Sequence, residues 1–333
     1  MKKTLLLIKQ KIIFVGIIFI SFFLSNIISA EHNLYENFEI KEEVQENSKF
    51  VAEMIKAAAE NSEDYQTSLF SFLKNKAVSK TEKELNQKFL SASSNFEISI
   101  QGADTKKPKF SVITVTPFLG SVDEGKVTFL QASALSQVGR STLNFGVARR
   151  YLSLNENWMY GVNAFLDYDD IGNARSSLGV EARNAVLDFG YNYYIGINDG
   201  TDEKVLDGYD LNLASQIPYM HWADIFVNAY EYDGRDRDDI KGRKLGSELL
   251  LNPNLNLELA YDDKDKEGLE DEWYAKIILI HPPRTGPSLQ DGLFSNTAWK
   301  EEKDMSGELL TKVKRNNKIM VEFKGNATIS RAD

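Results

Sequence analysis

The chain has 333 residues, 42% apolar and 26% charged, with a formal net charge of −10 and no cysteine. That length holds one large domain with accessory segments. An acidic chain is a poor ligand for a phosphate backbone, which excludes nucleic acid as a partner, and without cysteine there is no disulfide, thiolate metal site or cysteine nucleophile. A mean hydropathy of −0.35 argues against a bundle of membrane helices. It leaves room for a membrane β-barrel, where only every second strand residue faces lipid.

The first thirty residues stand apart. Lys2, Lys3, Lys9 and Lys11 form a basic head, Ile12 to Leu24 is almost wholly apolar, and Ser29-Ala30 precedes a charged stretch opening at Glu31. This is the pattern of a secretory signal peptide cleaved after Ala30; an uncleaved inner-membrane anchor is the rival reading. Cleavage takes four lysines and no acid from the net charge of −10, leaving −14. Residues 31–94 are polar and lack Gly and Pro. Val44, Phe50-Val51, Met54-Ile55, Ala58, Leu69-Phe70 and Phe72-Leu73 recur at helical spacing, and Ser79 with Glu82 fits a capping box. The spacing predicts a short helical periplasmic spacer.

From about Asn95 to His281 the period changes to two. Leu187, Phe189, Tyr191 and Tyr193 alternate with Asp188, Gly190, Asn192 and Tyr194; Leu178, Val180 and Ala182 alternate with Gly179, Glu181 and Arg183. Each set puts apolar side chains on one face and polar or small ones on the other. Trp222–Tyr232, Val112–Val115 and Trp273–Ile280 carry bulky apolar residues on both faces. Runs bounded by turn residues predict about twelve strands: 95–101, 109–117, 125–135, 140–150, 157–168, 175–183, 185–195, 205–216, 222–232, 245–251, 254–261 and 271–281. The fold class expected is mostly β, a twelve-stranded antiparallel transmembrane β-barrel preceded by the helical segment. Even strand numbers are the rule for single-chain bacterial barrels.

The connections test this independently. With the first strand running outward, the outside set is 102–108, 136–139, 169–174, 196–204, 233–244 and 262–270, and the inside set is 118–124, 151–156, 184, 217–221 and 252–253. The outside set holds the charged Asp233-Gly-Arg-Asp-Arg-Asp-Asp-Ile-Lys-Gly-Arg-Lys244, and the inside set holds tight turns at Asn184 and Pro253. Long polar loops on one rim and short turns on the other match outer-membrane barrels better than soluble sandwiches. Asp233, Arg235, Asp236, Arg237, Asp238, Asp239 and Lys241 are therefore candidate surface-loop residues. Trp158, Tyr160, Tyr168, Tyr191, Tyr193, Tyr194, Tyr209, Tyr230, Tyr232, Tyr261 and Trp273 lie toward strand ends, where aromatic girdles belong.

Several strings together resemble one family. Ala134-Leu-Ser-Gln-Val-Gly139, Arg140-Ser-Thr-Leu-Asn-Phe-Gly-Val-Ala-Arg-Arg150 and Trp158-Met-Tyr-Gly-Val-Asn-Ala-Phe-Leu-Asp-Tyr-Asp169 are similar to consecutive barrel strands of the intimin/invasin, or inverse autotransporter, family. Arg175-Ser-Ser-Leu-Gly-Val-Glu-Ala182, Asn192-Tyr-Tyr194 and Asp207-Gly-Tyr-Asp-Leu-Asn212 continue the resemblance in order, and Val313-Lys-Arg-Asn-Asn-Lys-Ile-Met-Val-Glu-Phe-Lys324 resembles the family's post-barrel segment. The resemblance, over about 85–325, implies a twelve-stranded barrel with a periplasmic N-terminus. It also implies a post-barrel segment passing back through the pore toward an adhesive passenger.

On this reading 282–333 is a linker with a short C-terminal segment, and because the sequence ends at Asp333 no passenger is expected. The family's LysM-type module is not recognisable in 31–94. Gly161, Gly179 and Gly190 on the lumen face leave room for a threaded chain or for close backbone approach. Asn144, Asn163, Glu181, Arg183, Asp188, Asn192 and Asp210 are the expected lumen-facing polar residues, offering hydrogen bonds to that chain or to water.

Catalytic and metal chemistry find little footing. His32, His221 and His281 have no ligand-spaced partners, and Asp263-Lys-Asp-Lys-Glu-Gly268 starts like a calcium loop but carries Tyr274 at the twelfth position. Asp167, Asp169 and Asp170 suit a polar strand end as well as a carboxylate pair. No enzyme activity and no cofactor is expected. The expected partners are outer-membrane lipid, the barrel-assembly machinery and a host surface, at the outer membrane of a Gram-negative bacterium. The alternatives are an adhesin acting through its charged loops and an exported soluble β-protein, lectin-like or hydrolytic.

Overall fold

The computed structural model describes residues 95–102, 108–137, 139–265, 270–300 and 304–324. The expected signal peptide (1–30) and helical spacer (31–94) lie outside the described residues.

Twelve of the described strands close on themselves. They are β1 (Asn95–Gln101), β2 (Lys109–Ser121), β3 (Lys126–Gln137), β4 (Arg140–Leu152), β5 (Met159–Asp169), β6 (Ala174–Arg183), β7 (Leu187–Asn198), β9 (Gly208–Ile217), β10 (Met220–Tyr232), β11 (Ile240–Asn252), β12 (Leu255–Asp265) and β13 (Glu272–His281). Each pairs antiparallel with its neighbours, and β1 pairs with β13 from Phe96–His281 to Gln101–Lys276. Closure removes the sheet edge, so no strand presents an unpaired row of backbone N–H and C=O groups to lipid.

Two short strands lie apart: β8 (Glu203–Val205) pairs with β14 (Val321–Phe323). Among the described residues the helical elements are two 3-10 turns, η1 (Leu289–Asp291) and η2 (Met305–Glu308), and no helix is long and apolar enough to cross a membrane.

Cross-strand partners share a face, so the side-chain parity read from the sequence carries around the whole ring. Phe145, Tyr160, Val162, Leu166, Val180, Leu187, Phe189, Leu213, Ile225, Val227, Leu245, Leu259, Trp273, Ile277 and Leu279 all point outward and are exposed. The inward set is buried and largely polar: Asn144, Asn163, Asp167, Arg175, Glu181, Asn192 and Asp210 are each at most 5% exposed. Water reverses this arrangement, so an apolar outer wall around a polar interior is the signature of a barrel solvated by lipid.

Several expectations need correction. Strands run further toward the long-loop rim than the apolar runs suggest: β11 starts at Ile240, not 245, and β12 reaches Asp265, because charged side chains are tolerated where a strand leaves the membrane. Lys241 thus sits on β11, paired with Glu231 at 2.8 Å, and the loop shrinks to 233–239. The expected strand 205–216 is two elements, β8 and β9, separated by Leu206-Asp207.

Loop length sorts by rim with exceptions, since β3 ends at Gln137 and β4 starts at Arg140 on the long-loop rim, whereas the connection 153–158 opposite is longer. Tyr194 and Tyr232 belong to no girdle; both are fully buried in the lumen, their rings 5.9 Å apart. The stretches with two apolar faces are explained by the interior. Ile113 and Val115 on β2, Phe226 and Tyr232 on β10, and Ile278 and Ile280 on β13 face a lumen that is not only polar.

Candidate functional site in the barrel lumen

The lumen is occupied by the chain's own continuation. After His281 the chain runs along the short-turn rim, where Arg284 N donates to Pro253 O, Ser295 N to Tyr219 O and Tyr219 N to Ala298 O. Met305 N then donates to Glu156 O in the β4–β5 turn, and η2 enters the barrel. From Leu309 to Met320 the segment runs toward the opposite rim, where Leu206 N donates to Met320 O and β14 pairs with β8.

The contacts come in three layers. At the short-turn end Met305, Leu309 and Val313 pack with Val115, Val127, Phe129, Ala148, Met159 and Phe165 in an apolar plug. Gly146 makes this possible, since a Cβ there would collide with the Phe165 ring. At the far end Tyr194, Leu206, Tyr232 and Ile240 cluster with Met320 packed against them.

The middle layer is polar and holds the backbone of the segment residue by residue. Arg150, fully buried, forms a fork to Glu181 (2.7 and 3.0 Å) and donates to the carbonyls of Glu308 (3.0 Å), Leu309 (3.0 Å) and Thr311 (2.5 Å). It therefore satisfies the free carbonyls at the end of η2 while its own charge is balanced by Glu181, the pairing a planar guanidinium makes well. Gln131 Oε1 accepts from Val313 N at 2.7 Å, and Asn192 Nδ2 donates to Lys314 O at 3.0 Å. The Tyr194 hydroxyl donates to Asp210 at 2.5 Å and accepts from Asn316 N at 2.8 Å; Asn316 Nδ2 donates to the Tyr232 hydroxyl at 2.7 Å. Asn144 Nδ2 donates to Asn317 O at 2.9 Å.

Buried charges are paired. Asp167 accepts from Arg175 Nε at 2.6 Å and from both terminal nitrogens of Arg315 at 2.9 and 2.7 Å, and Arg315 lies 4.3 Å above the Phe165 ring. Lys312 pairs with Glu97 at 2.6 Å, and Lys314 with Asp188 at 3.1 Å and Glu248 at 3.4 Å. Every cation on the segment between 312 and 315 thus meets a wall carboxylate.

Of the seven polar residues expected in the lumen, all are there. Asn144, Arg183, Asp188, Asn192 and Asp210 touch the threaded segment directly, Arg183 through Thr311 Oγ1 at 2.9 Å. Glu181 acts through Arg150 and Arg183, and Asn163 lies against the wall beside Gly179. Gly190 is the glycine that faces the chain: a Cβ there would be 4.0 Å from Lys314 O. Gly161 and Gly179 instead make room for Glu181 and for the Asn163 and Asn192 amides. Sequence reasoning missed Arg150, Gln131, Arg175 and Glu97, although each shares the inward parity of its strand, and it treated Asp167 as a loop-end carboxylate.

The surface loop is also held. Arg235 N and Asp236 N donate to the Glu322 carboxylate on β14 (3.0 and 2.8 Å), Arg235 pairs with Asp199 and Asp236 with Lys204. Asp239 accepts from Gly234 N, and Asp233 N donates to Asp207 O. Arg237 and Asp238 also have partners. The loop wraps the point where the segment leaves the lumen. Asp169 pairs with Arg140 and accepts from Asn173, and Asp170 accepts from Ser141 N, so the acidic trio is used in strand-end contacts.

Fold and lumen together define an outer-membrane β-barrel with its own post-barrel chain through its pore. Residues 44–317 match the inverse autotransporter β-domain, and the chain belongs to that family. A chain solved in work on the in-meso crystallization of membrane proteins is similar over 69% of this chain and 99% of its own, at 20% identity and a TM-score of 0.55, a likeness of fold. The KdgM porin (11% identity, 56% of this chain, 98% of that chain, TM-score 0.39) and outer membrane phospholipase A from Escherichia coli (12%, 56%, 91%, 0.38) are more distant barrels.

Proposed function

We propose that the protein is an intimin/invasin-type anchor and translocator. It is exported by a cleaved signal peptide (1–30), has a spacer (31–94) in the periplasm, and carries whatever follows Met320 to the cell surface. The observation that supports this is the unbroken ladder of wall-to-segment bonds from Arg150 at one end of the lumen to the β8–β14 pair at the other. Among the described residues the pore's polar side chains are engaged with its own C-terminal segment and with one another, which supports a non-enzymatic reading.

The rim with short turns is then periplasmic and the rim of β8 and β14 external. An adhesin acting through loop 233–239 has less support, because that loop spends its charges and backbone donors on its neighbours and on Glu322. The test is an epitope fused after Asp333 and probed with antibody on intact cells. Surface reactivity is expected, together with heat-modifiable gel mobility in the outer-membrane fraction. Reactivity only after the outer membrane is permeabilised would sink the proposal.

A further inference from the structure

The threaded segment hugs one wall. Most of its bonds run to β3–β7 and β9, with fewer ties to Glu97 on β1, Tyr232 on β10 and Glu248 on β11, and between it and β1, β2 and β10–β13 a cavity of about 330 Å³ remains. At the β8–β14 end this cavity is lined by Lys109 on β2, Lys244 on β11, Lys264 on β12 and Lys318 on the segment. The carboxylates beside them are few. Lys109 and Lys264 share Glu272, each at 3.5 Å, and Lys244 stands 3.8 Å from Asp262, which also accepts from the Tyr230 hydroxyl at 3.0 Å.

Lys318 has none. Among the described residues its ammonium makes no ion pair or side-chain hydrogen bond, and the charges that act on it most are cationic: Lys109, Arg140, Lys244 and Lys264. Arg140 is already engaged by Asp169 and Glu203. Lys312, Lys314 and Arg315 each meet a wall carboxylate, so the arrangement at Lys318 departs from that of the segment's neighbouring cations. Among the described residues, four ammonium groups stand against two carboxylates in a recess partly shielded from water, and the positive charge left uncompensated there is one that a bound anion would relieve.

We infer that this recess binds a small oxyanion, of the phosphate or sulfate class, held by Lys318 and Lys264 with Lys109 and Lys244 around it. Ammonium groups on flexible stems suit a compact tetrahedral anion, making charge-assisted hydrogen bonds from several directions. The strands β1, β2 and β11–β13 wall the recess off from lipid, so the ligand is a free solute arriving along the lumen and not a lipid headgroup. Bound there, the anion ties the segment to the wall opposite the Arg150 side.

The test is equilibrium dialysis of radiolabelled inorganic phosphate against the full chain folded in detergent, each variant checked for heat-modifiable mobility. Saturable binding displaced by sulfate is expected. It should weaken about tenfold in Lys318→Gln and in Lys264→Gln, the loss of one charge-assisted contact. It should persist in Lys318→Arg and be unchanged in Lys126→Gln at the opposite rim. Absence of saturable uptake by the wild type, or equal affinity in Lys264→Gln and the wild type, overturns the inference even if Lys318→Gln fails to fold.

Discussion

Asp167 shows how much a single lumen residue holds. Its side chain and those of Arg175 and Arg315 are fully buried, and the carboxylate is the charge that both guanidiniums share. Asp167→Asn keeps the shape but strands two buried cations, a change that typically costs about 3–5 kcal/mol. The expected result is a lower temperature for conversion of the heat-modifiable band, and faster labelling of a cysteine placed at Asn317 by an impermeant maleimide. The chain has no cysteine of its own, so the label reports that position alone. Strand parity gave the inward positions of Asn144 and Glu181, whereas Asp167, on the same face of β5 as Asn163, reads as a strand-end carboxylate. Its partner Arg315 was not legible, because it lies 148 residues further along the chain.

At the scale of elements, β14 matters beyond its three residues. It pairs with β8, and its Glu322 gathers the backbone donors of Arg235 and Asp236. Glu322→Gln leaves weaker, neutral acceptors, and Glu322→Ala leaves none, so loop 233–239 should open. Trypsin applied to intact cells should then cut after Arg235 and Arg237 several-fold faster in Glu322→Ala than in the wild type; unchanged cleavage would mean the loop is held by its ion pairs alone. The loop itself was visible in the sequence as a run of charges, but its length was overestimated. Ile240 to Lys244 read as loop because charge dominates there, whereas the pairing with β10 and β12 makes them strand.

For the molecule as a whole, the division between lipid and lumen governs tolerance to charge. Val227 and Asn228 are neighbours in the middle of β10, one facing out and the other in. Val227→Lys should cost about 2–4 kcal/mol near the bilayer midplane, while Asn228→Lys stays close to the wild type. Denaturant titration of folding into lipid vesicles measures both, and equal losses would contradict the assigned faces. Closure through β1 and β13 makes this a property of the ring, since the same parity must return to its start after twelve strands.

Strand parity, the number of strands and the alternation of rims were determined by the sequence alone, because a period of two is a local property that each strand displays by itself. The motifs from Ala134 to Lys324 carried the family. What only the tertiary structure decided is which inward residues grip the threaded segment and which merely line the wall. Those contacts join residues as far apart as Glu97 and Lys312, 215 positions in the chain. They depend on the registers around a closed ring and on the side of the lumen that the segment chooses. The apolar plug at Met305, Leu309 and Val313 makes that choice by packing where Phe129, Met159 and Phe165 converge.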